Sequence, residues 1–141
     1  MSILLVALLT VLLSVDTKAS VFGRWKFWHS EEAEFKPMWK KSWKAKKIAR
    51  DAIRRLNTYG EGTKHYVLDR IKSAYKKKEG QLKTYRITYV MAESTCTKAE
   101  ALVKKGKACK AQKNSKRLQC SRVFTYAYGT LLHEMSDRNC E

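Results

Sequence analysis

Thr84-Tyr85-Arg86-Ile87-Thr88-Tyr89-Val90-Met91-Ala92-Glu93-Ser94-Thr95-Cys96 is the stretch on which the fold turns. From Thr84 to Ala92, Tyr85, Ile87, Tyr89 and Met91 alternate with Thr84, Arg86, Thr88 and Val90. Aromatic and β-branched residues with a period of two describe a strand with two different faces. Downstream, Val123 to Leu132 reads as a second strand, with Phe124, Tyr126 and Tyr128 on one side. Thr97 to Gln119, between them, reads as a Lys-rich loop. Upstream, Tyr66 to Tyr75 is ambiguous, because Val67, Ile71 and Tyr75 fit helical spacing as well as alternation.

Further back, Lys44 to Asn57 is the best helix. Ala45, Ile48, Ala49, Ala52, Ile53 and Leu56 form one apolar stripe at 3.6-residue spacing, opposite Lys47, Arg50, Arg54 and Arg55. Ser42 is placed to cap its start, and Tyr59-Gly60-Glu61-Gly62 ends it. If the helix reaches back to Trp39, then Trp39 and Trp43 join Lys47, Arg50 and Arg54 on an exposed aromatic-cationic face. The other reading packs all four tryptophans, Trp25, Trp28, Trp39 and Trp43, onto the sheet, since Trp is mostly buried.

At the start, the apolar run Ile3 to Val15 is too short to cross a bilayer comfortably and has the length of a signal-peptide core. Cleavage after Ala19 is expected, which makes the chain secreted and extracellular: residues 1–19 as signal peptide, 20–43 as a Trp/Lys-rich arm and 44–141 as the folded domain. The net charge of +17 favours acidic partners. For a secreted chain these are acidic glycans, an anionic membrane or an acidic protein. Cys96, Cys109, Cys120 and Cys140 are even in number and read as two disulfides. Four cysteines allow three pairings, and the sequence alone does not choose; sequential pairing closes loops that contribute roughly 3 kcal/mol each.

Reaction chemistry is missing. His29, His65 and His133 are far apart, there is no G-x-S-x-G elbow, and Gly60-Glu61-Gly62-Thr63-Lys64 lacks the spacing of a phosphate loop. No cysteine pair has zinc-site spacing. The chain reads as a binding protein rather than an enzyme, with no catalytic residues, metal, cofactor or small-molecule substrate.

The cysteine spacing is the most specific signal: twelve residues between Cys96 and Cys109, ten between Cys109 and Cys120, nineteen between Cys120 and Cys140. With the strand Thr84–Tyr89 leading into Cys96, with Cys120-Ser121 and with the closing Asn139-Cys140-Glu141, it resembles the type 2 cystatins, secreted inhibitors of papain-like cysteine proteases. The resemblance runs from about Val21 to the end. It implies an α+β, cystatin-like fold: one long α-helix packed on a four- or five-stranded antiparallel sheet, with Cys96–Cys109 and Cys120–Cys140 bridged. It also implies that Tyr66 to Tyr75 is a strand.

The same resemblance implies a three-part wedge that enters a protease cleft. Val21-Phe22-Gly23 is similar to the N-terminal part, with Gly23 in the place of the family's glycine. Counting back from Cys96 without gaps puts Lys78-Glu79-Gly80-Gln81-Leu82 at the first hairpin tip, where the family has Q-x-V-x-G; a shifted register offers Gln81-Leu82-Lys83-Thr84-Tyr85. Tyr128-Gly129 stands where the family's second tip has Pro-Trp. Charged groups at a tip must be desolvated or paired on binding. Losing a buried aromatic anchor commonly costs about 2 kcal/mol or more. Inhibition of a papain-like cysteine protease is therefore expected to be weak, or retargeted to a protease whose acidity compensates. The alternative is a cationic binding protein that reuses the scaffold, with antimicrobial action as a variant. It would act through the stripe Lys40, Lys41, Lys44, Lys47, Arg50 and Arg54 and the loop Lys104, Lys105, Lys107, Lys110, Lys113, Lys116 and Arg117. Against this stands the reading of such a loop as solvated surface.

Overall fold

The structure, a computed structural model, describes residues 34–105, 108–138 and 140–141. Residues 1–19, expected to be a signal peptide, and Val21, Phe22, Gly23, Trp25, Trp28 and Lys107 lie outside the described residues.

One helix packs on one antiparallel sheet. The order is β1 (Lys36–Pro37), α1 (Trp43–Tyr59), β2 (Lys64–Glu79), β3 (Leu82–Thr97), α2 (Lys98–Val103), β4 (Arg117–Ala127) and β5 (Thr130–Arg138). The five strands lie in sequence order across the sheet, every neighbouring pair antiparallel. Tyr66–Tyr75 lies inside β2, as the family resemblance implies and local pattern could not settle.

The helix buries the expected stripe. Ala45, Ile48, Ala49, Ala52 and Ile53 are buried against Tyr85, Ile87, Tyr89 and Met91 of β3, with Phe124 and Cys120 of β4 completing the core. Three alanines on that stripe let the helix axis approach the sheet closely, while Ile48 and Ile53 each contribute about 1.5–3 kcal/mol of burial. Asn57 then pins the last turn of α1 to β2: its amide donates to the Tyr66 carbonyl and accepts the Tyr66 N–H, both at 2.8 Å. Both disulfides form sequentially, Cys96–Cys109 and Cys120–Cys140.

Four details depart from the sequence reading. The helix runs one residue earlier and two later than Lys44–Asn57, and Ser42 sits at its N-cap without a side-chain capping bond. Val123–Leu132 is not one strand: it breaks at Tyr128-Gly129, where both residues take positive φ (+49° and +85°) and reverse the chain. Two consecutive positive φ values make the tight hairpin turn whose twist matches the flanking strands, so alternation alone overran a turn that carries only one glycine. The Lys-rich loop begins as a helix, because Thr97 and Glu100 form a reciprocal capping box that starts α2. It also ends earlier, since β4 starts at Arg117. Finally, β1 lies inside the stretch read as the arm: Lys36 and Pro37 pair with Lys76 and Tyr75, and Met38 packs against the core.

Candidate functional site

The two hairpins point the same way. Glu79 pairs with Leu82 around Gly80-Gln81, and Ala127 pairs with Thr130 around Tyr128-Gly129. Because Leu82 is also opposite Ala127 in the β3–β4 ladder, the two turns stand side by side at one end of the sheet. Gly80 takes φ +57° at the first turn position, a conformation that L side chains rarely adopt. The ungapped count thus places Lys78–Leu82 across the tip, whereas the shifted candidate Gln81–Tyr85 runs down into β3. The β1–β2 register brings Phe35 to the same end, with its ring 4.6 Å from the Arg86 guanidinium carbon and 5.8 Å from Lys77 Nζ.

Between the tips lies a small cavity of about 390 Å³, walled by Lys44, Gln81, Lys83, Tyr85, Tyr126 and Tyr128. Lys44, in the first turn of α1, holds its ammonium 5.3 Å from the Tyr126 ring and 5.9 Å from the Tyr85 ring. Those rings meet edge to face at 5.7 Å. Burial pushes both phenols up, so they remain neutral under a cation that rests on their faces. Tyr128 stands clear of this cluster, 86 % exposed at the tip.

Charge dominates this end. Lys76, Lys77, Lys78 and Lys83 face one carboxylate among residues 76–83, that of Glu79, and Lys77 holds it at 2.7 Å. Lys78 pairs with Lys83 across the ladder, two like charges directly opposite. Such an arrangement costs stability and is relieved by an anionic partner.

The other singled-out cations scatter. Lys40, Lys41, Lys47 and Arg50 are exposed. Lys44 is drawn to the tyrosines, and Arg54 pairs with Asp51 at 2.9 Å. Lys104, Lys105, Lys110, Lys113 and Lys116 are exposed. Arg117 is instead structural: it donates to the carbonyls of Gln112 and Ser115 at 2.8 and 2.9 Å and stands 3.9 Å from Asp69. Trp39 and Trp43 are 74 % and 69 % exposed, so the packed reading fails for both, although the helix starts at Trp43 rather than Trp39. Lys47 Nζ lies 5.2 Å from the Trp43 ring. Sequence reasoning missed Lys76 and Lys77 as part of the tip and held Lys83 only in the shifted register. The Lys-Lys-Lys-Glu run before Gly80 was the available signal.

Residues 34–125 match the cystatin domain family. The chain belongs to the cystatin family. No curated protein matches it by sequence. Among solved structures, one titled "Crystal structure of Al-CPI" superposes with a TM-score of 0.64 at 15 % identity, covering 77 % of this chain and 97 % of that one. Cystatins are inhibitors rather than enzymes. Among the described residues, no group of three or more His, Cys, Asp or Glu side chains is placed to hold a metal ion. At the surface of this cystatin stand Tyr128 at one hairpin tip and the exposed cations on the flanks.

Proposed function

We propose that this cystatin is a secreted inhibitor of a papain-like cysteine protease, with a wedge retuned toward an acidic cleft. The supporting observation is the Leu82–Ala127 pairing, which sets two hairpin turns abreast with an exposed tyrosine on one and lysines beneath the other. By the family resemblance Val21, Phe22 and Gly23 are the candidate N-terminal contacts with the protease, and they lie outside the described residues. A neutral cleft makes Lys78 shed water without compensation, whereas a carboxylate-lined cleft turns the same charge into attraction and faster association. The test is titration of the exported chain against papain-like proteases of differing cleft charge. Inhibition of the acidic-cleft enzyme is expected, falling as salt rises and at least tenfold weaker for the pair Lys78→Ala, Lys83→Ala. Equal inhibition by that pair and the parent, or none at micromolar concentration, overturns the reading.

A second reading is favoured by Trp39 and Trp43. Two exposed tryptophans beside Lys40, Lys41 and Lys47 form a face suited to an anionic lipid surface, the rings at headgroup depth and the lysines among the phosphates. Acidic glycans and acidic proteins would meet the same cations. Flotation with phosphatidylglycerol vesicles and elution from heparin across a salt gradient separate these partners. Loss of flotation in Trp43→Ala supports the membrane, and heparin retention no stronger than that of a protein matched in charge removes the glycan.

A further inference from the structure

A wider opening than the cavity between the tips lies away from them. It is a groove of about 860 Å³ between the second half of α1, the start of β2 and the short helix α2. Along β2, Leu68 at the groove and Glu79 at the tip are separated by roughly 35 Å of extended strand. Ile53, Val67, Leu68 and Leu102 supply an apolar lining, and the size falls in the range of small-molecule sites. The charged residues that line it, Arg50, Arg54, Lys98 and Lys105, are all cations, and among the described residues no carboxylate lines it.

These cations are not equally available. Arg54 is held by Asp51, and Lys98 Nζ donates to the Gly60 and Glu61 carbonyls at 2.6 and 3.4 Å. Arg50 and Lys105 make no ion pair among the described residues. The floor is neutral: His65 holds Ser94 Oγ at 2.8 Å through Nδ1, and burial together with Lys98 lowers its pKa. An added peptide strand is excluded at Tyr66, whose backbone N–H and C=O are both taken by Asn57. What remains is an apolar trough with positive charge at its rim.

The geometry points to a binding site for a single-chain amphiphile with an anionic head, a fatty-acid carboxylate, its chain against Ile53, Leu68 and Leu102 and its head between Arg50 and Lys105. Burial of a hydrocarbon chain contributes about 0.8 kcal/mol per methylene, so affinity rises with chain length. This site does not depend on the protease reading. It uses no tip residue, and each survives the failure of the other.

The test is titration of the disulfide-bonded chain with dodecanoate below its micelle concentration, followed by methyl NMR at Ile53, Val67 and Leu68. Saturable shifts confined to the groove are expected, with binding at least tenfold weaker for the pair Arg50→Gln, Lys105→Gln and for Leu102→Asp. Leu102 is exposed, so that change does not threaten the fold. The pair Lys113→Gln, Lys116→Gln removes the same charge elsewhere and is expected to bind like the parent. The proposal is overturned if dodecyltrimethylammonium binds as tightly as dodecanoate, if the two charge-removing pairs weaken binding equally, or if no saturable shift appears.

Discussion

Glu134 of β5 holds Arg55 of α1 at 2.6 Å with one carboxylate oxygen, and with the other it holds Arg122 of β4 at 3.0 Å. One half-buried carboxylate thus ties the helix to the last hairpin, behind the Tyr128-Gly129 tip. Among the described residues Arg122 Nε is buried without a hydrogen-bond partner, while the same guanidinium reaches Glu134 through Nη1. Replacing Glu134 by Ala leaves two guanidinium groups facing each other. A loss of about 1–2 kcal/mol is expected by urea unfolding, moderated by the partial exposure of both arginines. An unchanged urea midpoint would show that water replaces the clamp at no cost.

Stability and binding are expected to separate at Tyr128. Its φ of +49° is strained for a tyrosine and easy for a glycine, and its ring is exposed. Tyr128→Gly is expected to raise stability by about 0.5–1 kcal/mol. The same change removes the aromatic from the tip, and protease binding is expected to weaken at least tenfold. Thermal melts and inhibition assays on one preparation check both; inhibition that persists unchanged would remove Tyr128 from the contact surface.

The two disulfides enclose different amounts of structure. Cys120 is fully buried in the main core, and its bridge to Cys140 ties the C-terminus to β4. Changing both to Ala is expected to cost about 3 kcal/mol, spread over the whole domain. Cys96–Cys109 clusters only with Ala101 among buried residues. Its removal is expected to expose the amides of α2 to hydrogen exchange while β2–β4 stay protected. Global loss of protection in that variant would show that the smaller cluster supports the sheet.

Acid is expected to weaken the fold through His65. Burial, then the neighbouring Lys98, lower its pKa below the usual histidine value of 6.5. Below that value the unfolded chain takes up a proton more readily than the folded one, so stability present above pH 6.5 is lost as pH falls toward the depressed folded value. The midpoint of urea unfolding should drop between pH 7.5 and pH 5. His65→Gln should flatten that drop, and an equal drop in the variant would assign the effect to other groups.

Much of the fold was legible because its signals are local. The alternation from Tyr85 to Met91 and the stripe from Ala45 to Leu56 follow from the repeat of a strand and of a helix, and both became the core. Cysteine spacing carried the family, which in turn settled β2. Turns were less legible: Tyr128 adopts a positive φ although its side chain disfavours it, and no residue type announces that. The capping box at Thr97 and Glu100 was present in the sequence but lay inside a stretch whose lysines drew the reading toward loop.

By itself the sequence determined the helix face, the strand at Thr84–Ala92, the excess of positive charge and the cysteines available for bridging, since each depends on neighbours along the chain. Only the tertiary structure decided which lysines meet. Strand register set Lys78 opposite Lys83 and the two tips abreast, and helix docking sent Lys44 to the tyrosines while leaving Arg50 beside an apolar groove. Those are contacts between residues distant in sequence, fixed by how the helix and strands pack, and a list of charges holds no information about them.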